Sequence, residues 1–280
     1  MILEEVQNNL FKKLISAGIE ESEAKKEISI LIEEFKDDLK KINCIVEERI
    51  KTRTPIQYLI GKAYFMDFTV KVNRSVLIPR PETEILVEET IKRCSGTPRR
   101  ALDIGTGTGI IPIAIARKIP NIKFVAIDIE KEIIDLAKEN AKLNDVENRI
   151  DFKKCDIFSD EIEKIFQNNK FDLIISNPPY VVVGNGRDRS LQPEIVHEPK
   201  IALFGSKENK TGLIYYERII ELVYREWSRP FPIKLIAFEI NPSLVNDLKK
   251  MLKKNNLNNF ETVKDYAKLD RCLFVRLINS

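Results

Sequence analysis

Phe171-Asp172-Leu173-Ile174-Ile175-Ser176-Asn177-Pro178-Pro179-Tyr180 reads as a buried strand that ends in a rigid polar hook. Leu173, Ile174 and Ile175 form a short apolar run with a turn signal behind it, the pattern of a strand covered on both faces in a parallel sheet. Pro178 and Pro179 offer no N–H to a ladder and hold φ at about −65°. Pro178 also disfavours the α region for Asn177. Asn177 is therefore predicted to be extended just past the carboxyl edge of its strand, the edge at which open α/β sheets place their ligands. Taken alone, Asn-Pro-Pro is an ordinary loop signal, so its meaning depends on what surrounds it.

Working outward, strand and helix patterns alternate from residue 100 onward. Strands are predicted over 100–104, 123–127, 150–154, 171–176 and 234–240, with helices over 110–118, 131–143, 160–167, 213–225 and 243–254 between or after them. Two closing strands follow at 260–264 and 272–277. Strand and helix in alternation predict a mostly parallel, doubly wound α/β sheet. Upstream, Pro81 with Glu82 and Glu84 in the first turn marks a helix start. Before it, residues 68–72 and 75–78 alternate apolar and polar residues, which predicts a β-hairpin turning near Asn73. Residues 52–66 read as a turn-rich linker. At the amino terminus Val6, Leu10, Leu14, Ile28, Leu31, Ile32, Phe35 and Leu39 recur at helical spacing, with a break at Gly18, and predict a small helical bundle. The expected division is a helical domain over 1–62, a hairpin linker over 63–80 and an α/β domain over 81–280.

Hydrophobic content of 43% and charged content of 32% are those of a soluble globular protein. The net charge of +3 is spread without blocks, so no broad electrostatic footprint for nucleic acid is expected. Cys44, Cys94, Cys155 and Cys272 form no CxxC pair, which fits reduced thiols of a cytoplasmic protein better than a disulfide framework or a zinc site. With His197 the single histidine, no metal site is expected and histidine-based catalysis is disfavoured. No run approaches the ~20 apolar residues of a membrane span, and no targeting peptide is apparent.

The first βα turn reads Leu102-Asp103-Ile104-Gly105-Thr106-Gly107-Thr108-Gly109. Its alternating glycines let backbone approach a ligand at a helix amino terminus. The spacing is G-x-G-x-G with an acid before it, which differs from the dinucleotide fingerprint. Asp103 repels phosphate but suits a cationic aminoacyl group, so S-adenosylmethionine fits better than NAD. Asp128 closes the second strand, where a carboxylate can accept both ribose hydroxyls. Asp156, followed by Ile157, closes the third and can take the adenine amino group. The expected cofactor set is thus Asp103, Gly105, Thr106, Gly107, Thr108 and Gly109 from the turn, with Asp128, Asp156, Ile157 and Asn177 along the same edge.

The hook then reads as a grip on a poorly nucleophilic nitrogen. The Asn177 side-chain oxygen and the Pro178 carbonyl can each accept one N–H, orienting the nitrogen and favouring its loss of planarity. Pro179 stiffens the turn, and Tyr180 supplies a ring against which a flat acceptor can pack.

Over roughly residues 49–277 the chain resembles the HemK/PrmC family, the peptide chain release factor glutamine methyltransferases. The likeness rests on Pro55-Ile56-Gln57-Tyr58-Leu59-Ile60-Gly61, Tyr64-Phe65-Met66, Leu77-Ile78-Pro79-Arg80-Pro81-Glu82-Thr83-Glu84, the glycine turn, residues 176–181, and Glu198-Pro199 with Ala202-Leu203. The resemblance implies a Rossmann-like class I S-adenosylmethionine-dependent methyltransferase domain. It implies methyl transfer to the side-chain amide of the Gly-Gly-Gln glutamine of release factors, leaving S-adenosylhomocysteine. It also implies that the helical amino-terminal domain helps to grip the release factor, and Glu82 is a candidate contact to the target. The chain departs from the family pattern in loops: residues 205–213 replace a compact glycine-rich segment, Asn241 stands where a Gly is usual, and Arg229-Pro230-Phe231-Pro232 replaces a Pro-Gly-Gly turn. Two rival readings are a nucleic-acid N-methyltransferase acting on an extruded base and a binding module that keeps the fold without activity; a third, a protoporphyrinogen-type redox enzyme, has no flavin or dinucleotide fingerprint behind it.

Overall fold

The computed structural model describes residues 2–36, 38–94, 100–182, 193–206, 208–226 and 233–277, with side chains from residue 6 onward. The Arg229 to Pro232 turn lies outside the described residues. The chain divides into two compact units, Met1–Gly61 with Gln192–His197, and Lys62–Leu191 with Glu198–Ser280.

In the first unit α1 (Ile2–Ser16), α2 (Glu21–Phe35) and α3 (Leu39–Thr52) bury Leu10, Leu14, Ile28, Leu31, Ile42 and Val46 in one apolar core. The break at Gly18 is real, because Gly18 has φ +78° and its N–H closes a turn on Ile15. Residues 52–66 contain more order than a linker. After Pro55 the chain forms a one-turn helix, α4 (Ile56–Ile60), which ends at Gly61 with φ +70°. Inside this unit Arg49 is fully buried. Its guanidinium donates to Glu27 at 2.8 Å, Glu23 at 3.1 Å and Glu194 at 3.0 Å. Glu194 comes from the short 3-10 helix Pro193–His197, so buried charge fastens that distant segment to the bundle. Burial pushes the Glu27 carboxyl up to about 7 even against Arg49.

The second unit begins with a hairpin whose position differs from the expected one. The paired strands are β1 (Lys62–Phe65) and β2 (Phe68–Lys71), turning at Met66 and Asp67, with Met66 at φ +49°. The Phe65 and Phe68 rings meet edge to face at 5.7 Å beside that turn. Asn73 makes a turn, as its side chain accepts the Ser75 N–H at 2.9 Å, but residues 75–78 run on to Pro79 as irregular backbone and not as a strand. Alternation in 75–78 reflects burial of Val76 and Ile78, and the Met-Asp turn lacks the Gly or Asn that marks most two-residue hairpins.

The remaining elements are α5 (Pro81–Arg93), β3 (Arg100–Ile104), α6 (Ile110–Lys118), β4 (Lys123–Asp128), α7 (Lys131–Leu143), β5 (Ile150–Lys154), α8 (Glu161–Asn168), β6 (Leu173–Ser176), α9 (Lys200–Phe204), α10 (Ile214–Glu226), β7 (Leu235–Glu239), α11 (Val245–Lys254), β8 (Phe260–Lys264) and β9 (Asp270–Arg276). The sheet order is β5-β4-β3-β6-β7-β9-β8. Strands β3 to β7 are parallel, while β9 pairs antiparallel with both β7 and β8. Strands β6 and β7 are buried at every position, as parallel strands covered on two faces should be. Pro112 is tolerated in α6 because it falls in the first turn, where its missing N–H has no helical partner to lose. The register Ile104 to Ile127 and Ile104 to Ser176 brings the carboxyl ends of three adjacent strands level. Among the described residues no helix is long and apolar enough to cross a membrane, and no three His, Cys, Asp or Glu side chains are arranged to hold a metal ion.

Candidate functional site

One pocket opens at that carboxyl edge. Gly105, Gly107, Asp128, Asp156, Ile157 and Asn177 all line it, together with Pro178 and Pro179. Its apolar walls come from Ile129, Ile133, Ile201 and Tyr215, and Ser75, Val76 and Leu77 close another side. These last three reach the pocket because the hairpin is pinned. Asn140 on α7 accepts the Lys71 N–H at 2.7 Å and donates to the Lys71 carbonyl at 3.0 Å and the Thr108 carbonyl at 2.9 Å. One buried amide thus fastens both the hairpin and the glycine turn to α7. Nothing in the local sequence flagged Asn140, whose partners lie far along the chain.

The glycine turn is built by left-handed backbone at Gly105, Gly107 and Gly109, with φ +74°, +53° and +81°. Its free N–H groups are anchored to the next strand: Gly105 and Thr106 donate to the Ile127 carbonyl at 3.0 and 2.9 Å, and Gly107 donates to Asp128 Oδ2 at 2.9 Å. Asp128 Oδ1 accepts the Ile129 N–H at 2.8 Å. Each Asp128 oxygen therefore spends one acceptor site on backbone and keeps lone pairs for two further donors. Burial raises the Asp128 pKa, and the backbone N–H groups of Gly107, Ile129 and Glu130 oppose that rise. Asp156 uses Oδ1 to accept the Phe158 N–H at 2.9 Å, closing a turn around Ile157.

Four predicted cofactor residues lie elsewhere. Asp103, Thr106, Thr108 and Gly109 are buried and are not among the lining residues. Neither carboxylate oxygen of Asp103 meets a well-formed hydrogen bond among the described residues, and burial, opposed by the nearby Thr106 hydroxyl, pushes its pKa up to about 7. Its ordinary value is near 4, so between about pH 4 and 7 the folded protein holds a proton that the unfolded chain has released. Folding stability therefore falls as pH rises through that window and levels off above it. Asp103→Asn, which cannot ionise, should flatten this slope in the cofactor-free protein by an amount on the order of a few kcal/mol between pH 5 and 8. Thermal melts of both proteins at several pH values read this directly, and parallel curves would reject it.

The hook itself is braced on every side. Ser176 donates to the Ile104 carbonyl at 2.7 Å, and Val181 N–H donates to the Leu203 carbonyl at 3.1 Å. Asn209 donates to the Pro179 carbonyl at 3.1 Å and the Phe204 carbonyl at 3.0 Å. Asn177 donates through Nδ2 to Thr83 Oγ1 at 3.4 Å. Among the described residues no donor engages Asn177 Oδ1 or the Pro178 carbonyl. Two acceptors thus stand free at one point of the pocket wall. Tyr180 does not line the pocket. Its ring packs against the core and its hydroxyl donates to Glu239 Oε1 at 3.3 Å.

The segment from Arg80 to Glu84 resolves into separate tasks. Arg80 reaches both Glu198 oxygens at 2.7 Å, Thr83 donates to Glu239 Oε2 at 2.7 Å, and Glu84 accepts the Met66 N–H at 2.8 Å. Glu82 is half-buried outside the lining set, close enough to Arg271 and Glu239 to bias both. The divergent loop 205–213 supplies Asn209 and also Gly212, with φ +77°, where an added Cβ would sit 2.8 Å from the Tyr180 carbonyl oxygen and 2.9 Å from Leu244 Cδ1. Gly212→Ala should cost about 1–3 kcal/mol of stability by overpacking and lower activity with it, because the clash falls on hook backbone. An unchanged melting temperature and turnover would dismiss this contact.

A family model described as "Methyltransferase domain" matches residues 98–202. A protein of Thermodesulfovibrio yellowstonii, "Release factor glutamine methyltransferase", is 38% identical over 239 residues, covering 84% of this chain and 80% of the relative. One of the same name from Flavobacterium psychrophilum is 37% identical, covering 81% and 77%. Among solved structures, the human METTL16 catalytic domain in complex with MAT2A 3′UTR hairpin 6 is similar with TM-score 0.58 at 18% identity, covering 84% of this chain and 82% of that one. The N-terminal domain of human METTL16 in complex with SAH aligns with TM-score 0.54 at 16% identity, covering 88% and 84%. At such identities these likenesses speak to the fold alone.

Proposed function

The chain belongs to the release factor glutamine methyltransferase family, and on that premise we propose that it methylates the side-chain amide nitrogen of the Gly-Gly-Gln glutamine in peptide chain release factors. The observation that carries this reading is the pair of free acceptors, Asn177 Oδ1 and the Pro178 carbonyl, on the wall of the pocket that Asp128 also lines. A primary amide presents two N–H groups from one nitrogen, and two acceptors on one rigid turn match them. Holding both hydrogens favours the pyramidal nitrogen that forms as the lone pair leaves conjugation.

The pocket residues fit S-adenosylmethionine: Asp128 keeps two acceptor sites for ribose hydroxyls, the open glycine turn admits close approach, and Ile129, Ile133 and Ile157 offer a slot for a flat base. When bound, that group supplies an electrophilic sulfonium methyl. Asp128 and Asp156 orient it, Gly105 and Gly107 leave room beside it, and Asn177 with Pro178 points the acceptor nitrogen inward. Asp103 is the seat for the cationic aminoacyl end in this reading. Residues 1–62 serve as the docking domain for the release factor and 81–280 as the catalytic domain, connected through 63–80, which holds most of the Lys62–Lys71 hairpin, with Glu82 near the target. A release-factor substrate supports a cytoplasmic setting, and in this reading no nucleic acid is the substrate.

The test is transfer of labelled methyl from S-adenosylmethionine to purified release factor and to a version with the Gly-Gly-Gln glutamine replaced by Ala. DNA, tRNA and rRNA run as parallel acceptors. Label on the intact factor alone is expected, and label on a nucleic acid with none on protein would overturn the reading.

A further inference from the structure

Glu239 ends β7, next to the hook strand, and is 1% exposed. Its backbone carbonyl accepts the Tyr216 hydroxyl at 2.8 Å, and its carboxylate accepts Thr83 at Oε2 and Tyr180 at Oε1. A threonine hydroxyl has one proton to give. Thr83 gives it to Glu239 over 2.7 Å, so the side of Thr83 Oγ1 that faces Asn177 offers a lone pair only. The Asn177 carboxamide must then meet Thr83 with its NH2, which leaves Oδ1 on the opposite side of the carboxamide. A reversed carboxamide would set two acceptors against each other.

We propose that Glu239 is a positioning residue which, through Thr83, fixes the Asn177 carboxamide in the orientation that accepts an N–H and refuses a carbonyl oxygen. This rests on the reading of Asn177 as the grip on the acceptor nitrogen. The relay makes the site selective for the nitrogen end of an amide: with Asn177 reversed, its NH2 would hold the amide by its oxygen and turn the nitrogen away. In its ionised form a carboxylate can only accept; burial raises the Glu239 carboxyl to about 7, so the relay is that of the ionised form, above that pH. A glutamine of the same shape can donate to Thr83, which frees the Thr83 proton to turn toward Asn177.

Thr83→Val removes both the proton and the lone pair at nearly constant shape, Thr83→Ser keeps them, and Glu239→Gln keeps the shape but removes the direction. The expected result is a kcat about tenfold lower in Thr83→Val and in Glu239→Gln, the scale of one lost hydrogen bond. Thr83→Ser should stay near wild type, and S-adenosylmethionine affinity by calorimetry should be unchanged throughout. The double variant Thr83→Val with Glu239→Gln should be no slower than either alone, since both break one relay. Wild-type kcat in folded Thr83→Val, or in Glu239→Gln should the valine variant fail to fold, overturns the relay, as does equal loss in Thr83→Ser. The assay uses whichever acceptor the wild-type protein methylates. Failure of the glutamine reading therefore shows in the wild-type protein, and failure of the relay shows in the variants.

Discussion

Asn177→Ala is expected to lower the turnover number by about 10²–10³-fold, the range found when one preorganised polar contact to a reacting group is removed. S-adenosylmethionine affinity should change by less than about threefold, because a contact that strengthens as the nitrogen pyramidalises belongs to the transition state and not to the ground state. The hook should survive the change. Its backbone is held by bonds that do not involve the Asn177 side chain: Ser176 to Ile104, Val181 to Leu203, and Asn209 to the Pro179 carbonyl. Among the described residues the one hydrogen bond of this side chain is the 3.4 Å bond to Thr83, so its removal leaves Thr83 bonded to Glu239. Single-turnover methyl transfer with calorimetric cofactor binding separates the two quantities. Equal losses in both would mean that Asn177 serves the cofactor and that something else grips the nitrogen.

What the sequence could disclose follows a physical division. Strand β3, the glycine turn, α6 and the acids closing β4 and β5 were legible because each is local: period, glycine spacing and a carboxylate at a strand end all lie within a few residues. The bracing was not legible, because its partners are distant. Thr83 and Glu239 are 156 positions apart, and Asn140 and Lys71 are 69 apart, so neither pair leaves a trace in local pattern. The hairpin went astray for a related reason. Residues 75–78 alternate because Val76 and Ile78 are buried against neighbours from elsewhere in the chain, whereas the true turn at Met66 carries a residue with no turn preference. Asp103 stands out in the sequence as an acid before the glycine turn, but that it lies wholly buried is a property of packing. The divergent loop 205–213 looked like a departure from the family, yet Asn209 and Gly212 both bear on the hook.

Asp128→Ala should have the opposite signature to Asn177→Ala. Cofactor affinity should fall by about 100-fold or more, since two hydroxyls donating to one carboxylate contribute about 1.5 kcal/mol each at the low end for bonds to a charged group. Turnover at saturating cofactor should stay within about threefold, because ribose contacts are the same in ground and transition states. Part of the loss is indirect: Asp128 Oδ2 accepts the Gly107 N–H and Oδ1 the Ile129 N–H, and alanine releases both, loosening the glycine turn. Asp128→Asn separates the contributions. Its remaining oxygen can keep the Gly107 bond, but its NH2 can accept neither the Ile129 N–H nor a hydroxyl proton, so the Gly107 anchor stays while one ribose acceptor is lost. Affinity between wild type and Asp128→Ala is therefore the expected result for Asp128→Asn. If Asp128→Asn equals wild type while Asp128→Ala is weak, the carboxylate acts only as a brace for Gly107; if neither variant changes affinity, the ribose lies elsewhere.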